Sequence, residues 1–305
     1  MEQIVTEENR AYRQGMVSAV CCSLFWGVLP IYWQWLKPID SFVIIFYRIV
    51  MVAVCCAAAA FVFHGRREVL APLADKKGLI KYALAGLLIT ANWSIYIWAV
   101  NAGFVIQTSI GYYIEPLVVC TFGIVLFKEK LSKYKVIALC FALAGVAAVI
   151  WYFKQVPLIA LGVALTFAVY AAAKKSFSLP PLISLFYETV FWAPLALAVI
   201  VYLELNGRGA MAAGEPHKFV LLLLCGIVTA LPLGLFASAT RKLNLFVVGL
   251  TEYISPTISL FIGIFLFKEP FESVQLIAFA IIWIGLVFFS YGEYKENRLR
   301  KGENG

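Results

Sequence analysis

The chain has 305 residues, of which 63% are hydrophobic and 14% are charged, with a formal net charge of +8 and a mean hydropathy of +0.89. Water-soluble globular domains carry about 25% charged residues, so the composition excludes that class and predicts an all-α integral membrane protein. A nucleic-acid partner is not expected, because the basic residues are scattered over short segments between apolar stretches.

Ten apolar stretches are long enough to cross a bilayer, which takes about 20 residues per helix. In chain order the predicted helices cover residues 15–36, 42–63, 79–101, 105–127, 134–153, 156–173, 181–205, 219–240, 244–267 and 272–292. The connecting segments are short. Apart from its substrate, the lipid bilayer is therefore the main predicted partner of the chain.

The positions of lysine and arginine predict the orientation. With the N-terminus in the cytoplasm, the cytoplasmic segments carry nineteen basic residues and the opposite segments carry five. Positively charged segments stay on the cytoplasmic side of a membrane. We therefore expect a multi-pass protein of the cell (inner or plasma) membrane with both termini in the cytoplasm.

The two halves of the chain match at a constant offset of 140 residues without a gap. The twelve identical pairs between Thr108 and Gly145 are Tyr113/Tyr253, Ile114/Ile254, Pro116/Pro256, Gly123/Gly263, Ile124/Ile264, Leu126/Leu266, Phe127/Phe267, Lys128/Lys268, Glu129/Glu269, Ile137/Ile277, Ala138/Ala278 and Gly145/Gly285. Five helices per half is an odd number, so the second half begins on the opposite side of the membrane. We predict ten transmembrane helices as two inverted five-helix repeats, an organisation typical of secondary transporters.

The predicted organisation has four parts. A cytoplasmic N-terminal segment (1–14) precedes the first repeat (15–153), and a second repeat (156–292) is followed by a basic cytoplasmic tail (293–305).

Four charged residues lie well inside the predicted spans, at least six residues from either end, namely Arg48, Glu115, Glu188 and Glu252. A charge at the bilayer centre costs about 2.5–3.5 kcal/mol on insertion scales, so each is expected to face a cavity or a partner. Two roles stay open for Glu115, which is either a proton-coupling or substrate-ammonium site or the ion-pair partner of Arg48. Glu188 likewise has two candidate partners, Arg48 and the lysine pair at 174 and 175.

The fourth and ninth helices each carry a polar face. The residues at helical spacing are Thr108, Gly111, Tyr112 and Glu115 on the fourth helix, and Thr251, Glu252, Ser255 and Ser259 on the ninth. Pro116 and Pro256 each remove a backbone hydrogen bond, and we expect both to break their helices where these line a watery cavity. The alternative is that the two faces only pack together.

Aromatic and amide side chains complete the predicted substrate site. They are Trp26 on the first helix, Asn92, Trp93 and Tyr96 on the third, Tyr112 and Tyr113 on the fourth and Tyr170 on the sixth. Simple helix packing is the alternative role for these residues. Trp33, Trp35, Trp151 and Tyr291 are predicted to be anchors at the membrane surface. Both histidines lie in loops and the cysteines follow no metal-binding spacing, so we expect no metal and no cofactor.

Several motifs carry a family resemblance. They are Phe25-Trp26-Gly27, Asn92-Trp93, Trp98-Ala99-Val100-Asn101, Gly111-Tyr112-Tyr113-Ile114-Glu115-Pro116-Leu117 and Phe127-Lys128-Glu129-Lys130-Leu131. Together they resemble the drug/metabolite transporter superfamily, and more narrowly the RarD branch of the EamA-type transporters. The resemblance implies a ten-helix, inverted-repeat carrier that moves small metabolites or drugs, often outward. RarD-like sequences commonly have Asn before the fourth-helix proline, whereas this chain has Glu115, which suits a cationic or zwitterionic substrate or a proton.

The expected function is secondary transport by alternating access. We expect export of amino-acid-like or amphiphilic drug-like solutes by a monomer or homodimer, with proton coupling as one option. Facilitated diffusion or import of the same solutes is the alternative. An intramembrane enzyme is a distant alternative, because metal-phosphate chemistry needs clustered acids or histidines. A signalling or scaffold role is disfavoured by the near-absence of loops.

Overall fold

The computed structural model describes residues 2–102, 104–154, 158–213, 215–268 and 273–302, and most of them are helical. The helices are α1 (Glu2–Trp35), α2 (Ser41–Leu70), α3 (Lys76–Asn101), α4 (Val105–Val125), α5 (Lys133–Phe153), α6 (Leu158–Ser176), α7 (Pro181–Val190), α8 (Ala193–Leu205), α9 (Pro216–Lys242), α10 (Leu245–Glu252), α11 (Ile254–Phe261) and α12 (Ser273–Gly302). A π-helix, Ile262–Phe267, continues α11, and single 3₁₀ turns lie at Ala71–Ala74 and Met211–Ala213.

The helices confirm the all-helical membrane class. Among the described residues, eight helical segments are long and apolar enough to cross a membrane, and the bent pair of α7 and α8 makes a ninth if it is one span. The described apolar part of α4, Ile110–Val125, is shorter than these eight segments. The protein is thus a multi-pass membrane protein, and the count of ten spans stays a prediction.

The seventh predicted span, 181–205, is bent. α7 and α8 meet at an angle of 49° around Phe191 and Trp192. Pro194 lies in the first turn of α8, where its ring excludes a straight continuation of the preceding turn. The Trp192 amide therefore bonds the Thr189 carbonyl at 3.1 Å, a tighter turn than an α-helix makes.

The two repeat-related prolines have different effects. Pro256 cannot donate to the Glu252 carbonyl, and the chain breaks there into α10 and α11 at Tyr253, one turn before the proline. α4 continues through Pro116, so the break predicted there does not occur. Proline has a helical φ angle, and one missing hydrogen bond is tolerated when packing holds the helix straight.

The predicted terminal segments are helical where they are described. α1 begins at Glu2, well before the apolar part of the first span, and α12 continues to Gly302. The two helices meet near their polar ends, where the Tyr12 hydroxyl hydrogen-bonds the carboxylate of Glu293. The carboxylate also lies 2.9 Å from Lys135 Nζ.

α5 and α12 pack closely through two glycines. A Cβ on Gly145 would lie 2.9 Å from the Ala278 carbonyl oxygen, and one on Gly285 would lie 3.0 Å from the Ala138 carbonyl oxygen. The two alanines, Ala138 and Ala278, are themselves a matched pair at the 140-residue offset. Each glycine therefore makes the same contact as its match in the other half.

Two further features recur at the same offset. Lys128 and Lys268 both adopt the left-handed conformation, with φ angles of 52° and 56°, just after their helices end. The Tyr253 hydroxyl donates to the carbonyl of its own match, Tyr113, at 3.0 Å. Matching residues of the two halves thus meet in the buried core.

We expect Gly145→Ala and Gly285→Ala to lower the thermal stability. Each added Cβ would lie 2.8 Å from a side-chain carbon of the facing helix, and overpacking of this kind costs about 1–3 kcal/mol. Thermal unfolding of the purified protein in detergent measures the effect. Gly162→Ala is the matched control, because nothing lies within 4 Å of its Cβ. Equal unfolding midpoints for all three variants would contradict the packing.

Candidate functional site

Arg48 lies where side chains of four helices converge. Its guanidinium carbon is 3.6 Å from the ring centroid of Trp93 on α3 and 4.9 Å from that of Trp33 on α1. Its Nε donates to Thr229 Oγ1 on α9 at 3.0 Å. Among the described residues, no carboxylate lies within 4.0 Å of the guanidinium. Arg48 is therefore held by aromatic rings and one hydroxyl rather than by an opposite charge.

Neither ion pair considered for Arg48 is formed. Glu188 pairs with a lysine instead. Glu115 has no basic group within 4.0 Å among the described residues, and Tyr112 is within electrostatic reach of both Arg48 and Glu115. The Tyr112 ring contacts Tyr96 with centroids 5.6 Å apart, and it remains 40% exposed. The predicted residues Trp93, Tyr96 and Tyr112 thus lie in one half-buried cluster with Arg48.

Glu115 and Glu252 form a second charged group, here called the carboxyl pair. Glu252 is 5% exposed, and both of its carboxyl oxygens are buried without a hydrogen-bond partner among the described residues. Glu115 is half-buried and close enough to act electrostatically on Glu252. An ionised carboxylate without a donor or counter-charge is expensive in such surroundings. The carboxyl pair is therefore suited to hold a positive charge.

The helices that carry the two predicted polar faces are neighbours, but Gly111 faces Ala160 of α6 and Ser259 donates to the Gly27 carbonyl of α1. α4 packs against α10, and Gly249 allows the Pro116 carbonyl to approach closely. Ser255 and Pro256 on α11 are half-buried. The side chain of Thr108 lies outside the described residues. The packing accounts for Gly249, while the unpartnered Glu252 is not explained by packing.

Glu188 belongs to a fully buried ion pair. Lys174 Nζ lies 2.6 Å from Glu188 Oε1, and each side chain is 1% exposed. Ser184 Oγ and the Tyr170 hydroxyl also donate to the Glu188 carboxylate, at 2.5 and 3.1 Å. Of the partners considered for Glu188, the lysine is confirmed. Tyr170, predicted to bind substrate, is instead a member of this network.

A small cavity lies between this network and Trp93. Its lining includes the side chains of Thr90, Trp93, Tyr170, Glu188 and Trp192. Trp93 therefore contributes both to the cavity and to the support of Arg48.

Glu129, Lys175 and the first residues of α10 contact one another at one end of the bundle, here called the Glu129 end. Glu129 accepts hydrogen bonds from the amides of Leu245 and Phe246 at 2.6 and 2.8 Å. These amides begin α10 and have no helical acceptor of their own. Lys175 Nζ lies 3.6 Å from the same carboxylate and donates to the Leu243 carbonyl at 2.6 Å. The turn after α4 is thus fastened to α6 and α10.

Three of the predicted site residues take part in packing. Trp26 contacts the rings of Phe167 and Phe236, with centroids 5.7 and 5.4 Å away. Asn92 is buried, and its Nδ2 donates to the Val163 carbonyl at 2.7 Å, which links α3 to α6. Tyr113 is buried in the core, as described above. Helix packing, the alternative role, accounts for them.

The sequence did not point to several residues of these clusters. Trp33 is predicted to be an anchor at the membrane surface, whereas in the structure it lies beside Arg48. Thr229 and Ser184 are ordinary polar residues of apolar helices, with no motif to distinguish them. Glu129 stands in the repeat and in the 127–131 motif, neither of which predicts its hydrogen bonds. The roles of Thr229 and Glu129 depend on contacts between helices that are distant in sequence, whereas Ser184 contacts Glu188 within α7.

Comparisons with known proteins bear on what these clusters do. A family model described as the EamA-like transporter family matches the chain twice, over residues 13–151 and 155–291. The chain is 37% identical over 294 residues to the uncharacterized transporter YojE of Bacillus subtilis, covering 95% of this chain and 97% of that protein. It is 28% identical to protein RarD of Salmonella typhi over 277 residues, or 91% and 94% of the two chains. A solved crystal structure that is 16% identical has a TM-score of 0.68 and covers 91% of this chain and 97% of its own, which shows a shared fold.

We expect Lys174→Met to destabilise the protein strongly. The substitution leaves Glu188 as a buried charge without its counter-ion, and breaking such a pair costs about 3–5 kcal/mol. Thermal unfolding in detergent, together with the yield of folded protein, measures the loss. The double variant K174M/E188Q removes both charges and should recover much of it. Additive losses in the double variant would contradict the pairing.

Proposed function

The chain belongs to the RarD branch of the EamA-like transporter family, and on that premise we propose that this membrane transporter exports small amino-acid-like or amphiphilic solutes by alternating access. The observation that carries the proposal is the separation of opposite charges. Tyr112 is within electrostatic reach of both Arg48 and Glu115, and neither Arg48 nor the carboxyl pair has a counter-ion among the described residues.

A zwitterionic solute supplies both missing charges. Its anionic group would meet Arg48 and its ammonium group would meet Glu115, with the rings of Tyr96 and Tyr112 beside its apolar part. Charges without a partner inside a membrane protein mark the pathway of a substrate or an ion, since they are too expensive to retain otherwise. A purely structural role would have joined Arg48 and Glu115 directly.

The proposed architecture is ten spans in two inverted repeats, 15–153 and 156–292. The reciprocal contacts of Gly145 and Gly285 support it, because a two-fold axis produces such isologous pairs. The shared backbone conformation of Lys128 and Lys268 supports it as well. In this arrangement both termini are in the cytoplasm, as the lysine and arginine distribution favours.

The proposed orientation places the Glu129 end in the cytoplasm. The described conformation is then closed on that side by Glu129, Lys175 and the buried pair of Lys174 and Glu188. Alternating access requires these contacts to open while helices at the opposite end close. Rocking of two inverted repeats around a central site is the usual way in which such carriers work.

Export against a gradient requires an energy source, and the carboxyl pair is the proposed proton site. One proton and one ammonium group would compete for the same carboxyl pair. Proton entry on one side would then release the solute, and proton loss on the other would restore the site. Facilitated diffusion, the second candidate, would give solute flux that ignores a pH gradient.

A thermal-shift screen of the purified protein against amino acids, nucleosides and drugs should identify the solute. A ligand at ten times its Kd stabilises the folded state by about 1.4 kcal/mol, which such a screen detects.

We expect Glu115→Gln to abolish solute movement driven by a pH gradient in proteoliposomes, because the amide cannot carry a proton. Exchange of labelled for unlabelled solute without a gradient should persist with a weaker apparent affinity, because Glu252 is left as the carboxylate that meets the ammonium group. Glu68→Gln is the matched control, since Glu68 lies at an exposed position next to His64. Wild-type gradient-driven flux in E115Q would rule out proton coupling at Glu115.

A further inference from the structure

The Nε edge of the Arg48 guanidinium donates a hydrogen bond, and the edge formed by its two terminal nitrogens donates none to the described residues. Thr229 accepts from Nε, and Trp33 and Trp93 lie next to the guanidinium. Among the described residues, no acceptor lies within hydrogen-bond distance of the two terminal nitrogens. Stacking and the Thr229 bond restrict rotation of the planar group, so its terminal edge is held in place before any ligand arrives.

Such an edge is shaped for an oxyanion. Two parallel N–H groups of a guanidinium match the two oxygens of a carboxylate, and charge-assisted bidentate pairs are among the strong hydrogen bonds of proteins. The half-buried position strengthens the attraction, because little water competes with the ligand. Lysine would offer the same charge without the planar fork.

The surroundings restrict the rest of the ligand. Indole faces of Trp33 and Trp93 lie beside the guanidinium, and Tyr112 is within its electrostatic reach. A carboxylate attached to an apolar or aromatic group suits these neighbours better than a highly hydrated inorganic anion. We propose that Arg48, Thr229, Trp33 and Trp93 form the recognition site for the carboxylate of the transported solute, an inference that rests on the proposed transport function.

The test compares two probes that differ only in the carboxylate. L-phenylalanine and L-phenylalaninamide are titrated onto the full-length protein in detergent, and intrinsic tryptophan fluorescence and thermal shift report binding. Wild type should bind the acid at least about tenfold more tightly than the amide, because hydrogen bonds to charged groups contribute that much. Equal affinities, or no binding of the acid, would overturn the site.

Variants assign the discrimination to the named residues. R48Q should bind acid and amide equally, R48K should keep only part of the preference, and T229V should weaken acid binding while Arg48 remains. Arg208→Gln is the control for removing a positive charge at an exposed position. Should R48Q fail to fold, T229V and R48K still decide, since full acid preference in both would overturn the proposal.

Flux separates this inference from the transport function. Both probes are tested for movement across proteoliposome membranes that contain the wild-type protein. Flux of both at equal rates would refute carboxylate recognition and leave the transporter proposal intact. Absence of flux for any solute found in the thermal-shift screen would refute the transporter proposal itself.

Discussion

A charge inside a bilayer is stable only with a counter-charge, a hydrogen-bonding partner or water, and the described structure meets this constraint in two ways. Lys174 and Glu188 neutralise each other with help from Ser184 and Tyr170, at 1% exposure of either charged side chain. Arg48 and the carboxyl pair are left without ionic partners among the described residues. The first arrangement is complete within the protein, whereas we propose that the solute completes the second, with a proton as the alternative at the carboxyl pair.

The α5–α12 interface and the Glu129 end differ in how easily their contacts can be separated. α5 and α12 meet through close backbone contacts at Gly145 and Gly285, which cannot separate without leaving cavities. The Glu129 end is fastened by hydrogen bonds from Lys175 and the first amides of α10, which water can replace. The α5–α12 interface is therefore the harder of these two contacts to separate.

Much of the fold followed from composition and periodicity, since apolar length alone marks most of the spans. The break before Pro256 also followed, because proline lacks an amide hydrogen. The continuity of α4 through Pro116 did not, since it depends on packing against α10 and other helices. Similarly, the sequence identified Arg48, Glu115, Glu188 and Glu252 as residues in need of partners, yet it could not choose the partners. Thr229 lies 181 residues from Arg48 in the sequence. Lys174 lies on the helix directly before that of Glu188, but only the folded arrangement shows that it, and not Arg48, is the partner.

Tyr112 is 40% exposed and within electrostatic reach of both Arg48 and Glu115, so its accessibility shows to which side of the membrane the site is open. Tyr112→Cys is placed in a transport-active variant without other cysteines, and oriented vesicles are treated with a membrane-impermeant thiol reagent from each side. We predict labelling from the outer side only when the protein is at rest. Once solute and gradient drive turnover, the cysteine should also be labelled from the cytoplasmic side. Saturating solute should protect it. Labelling from neither side, or equal labelling from both sides at rest, would contradict it.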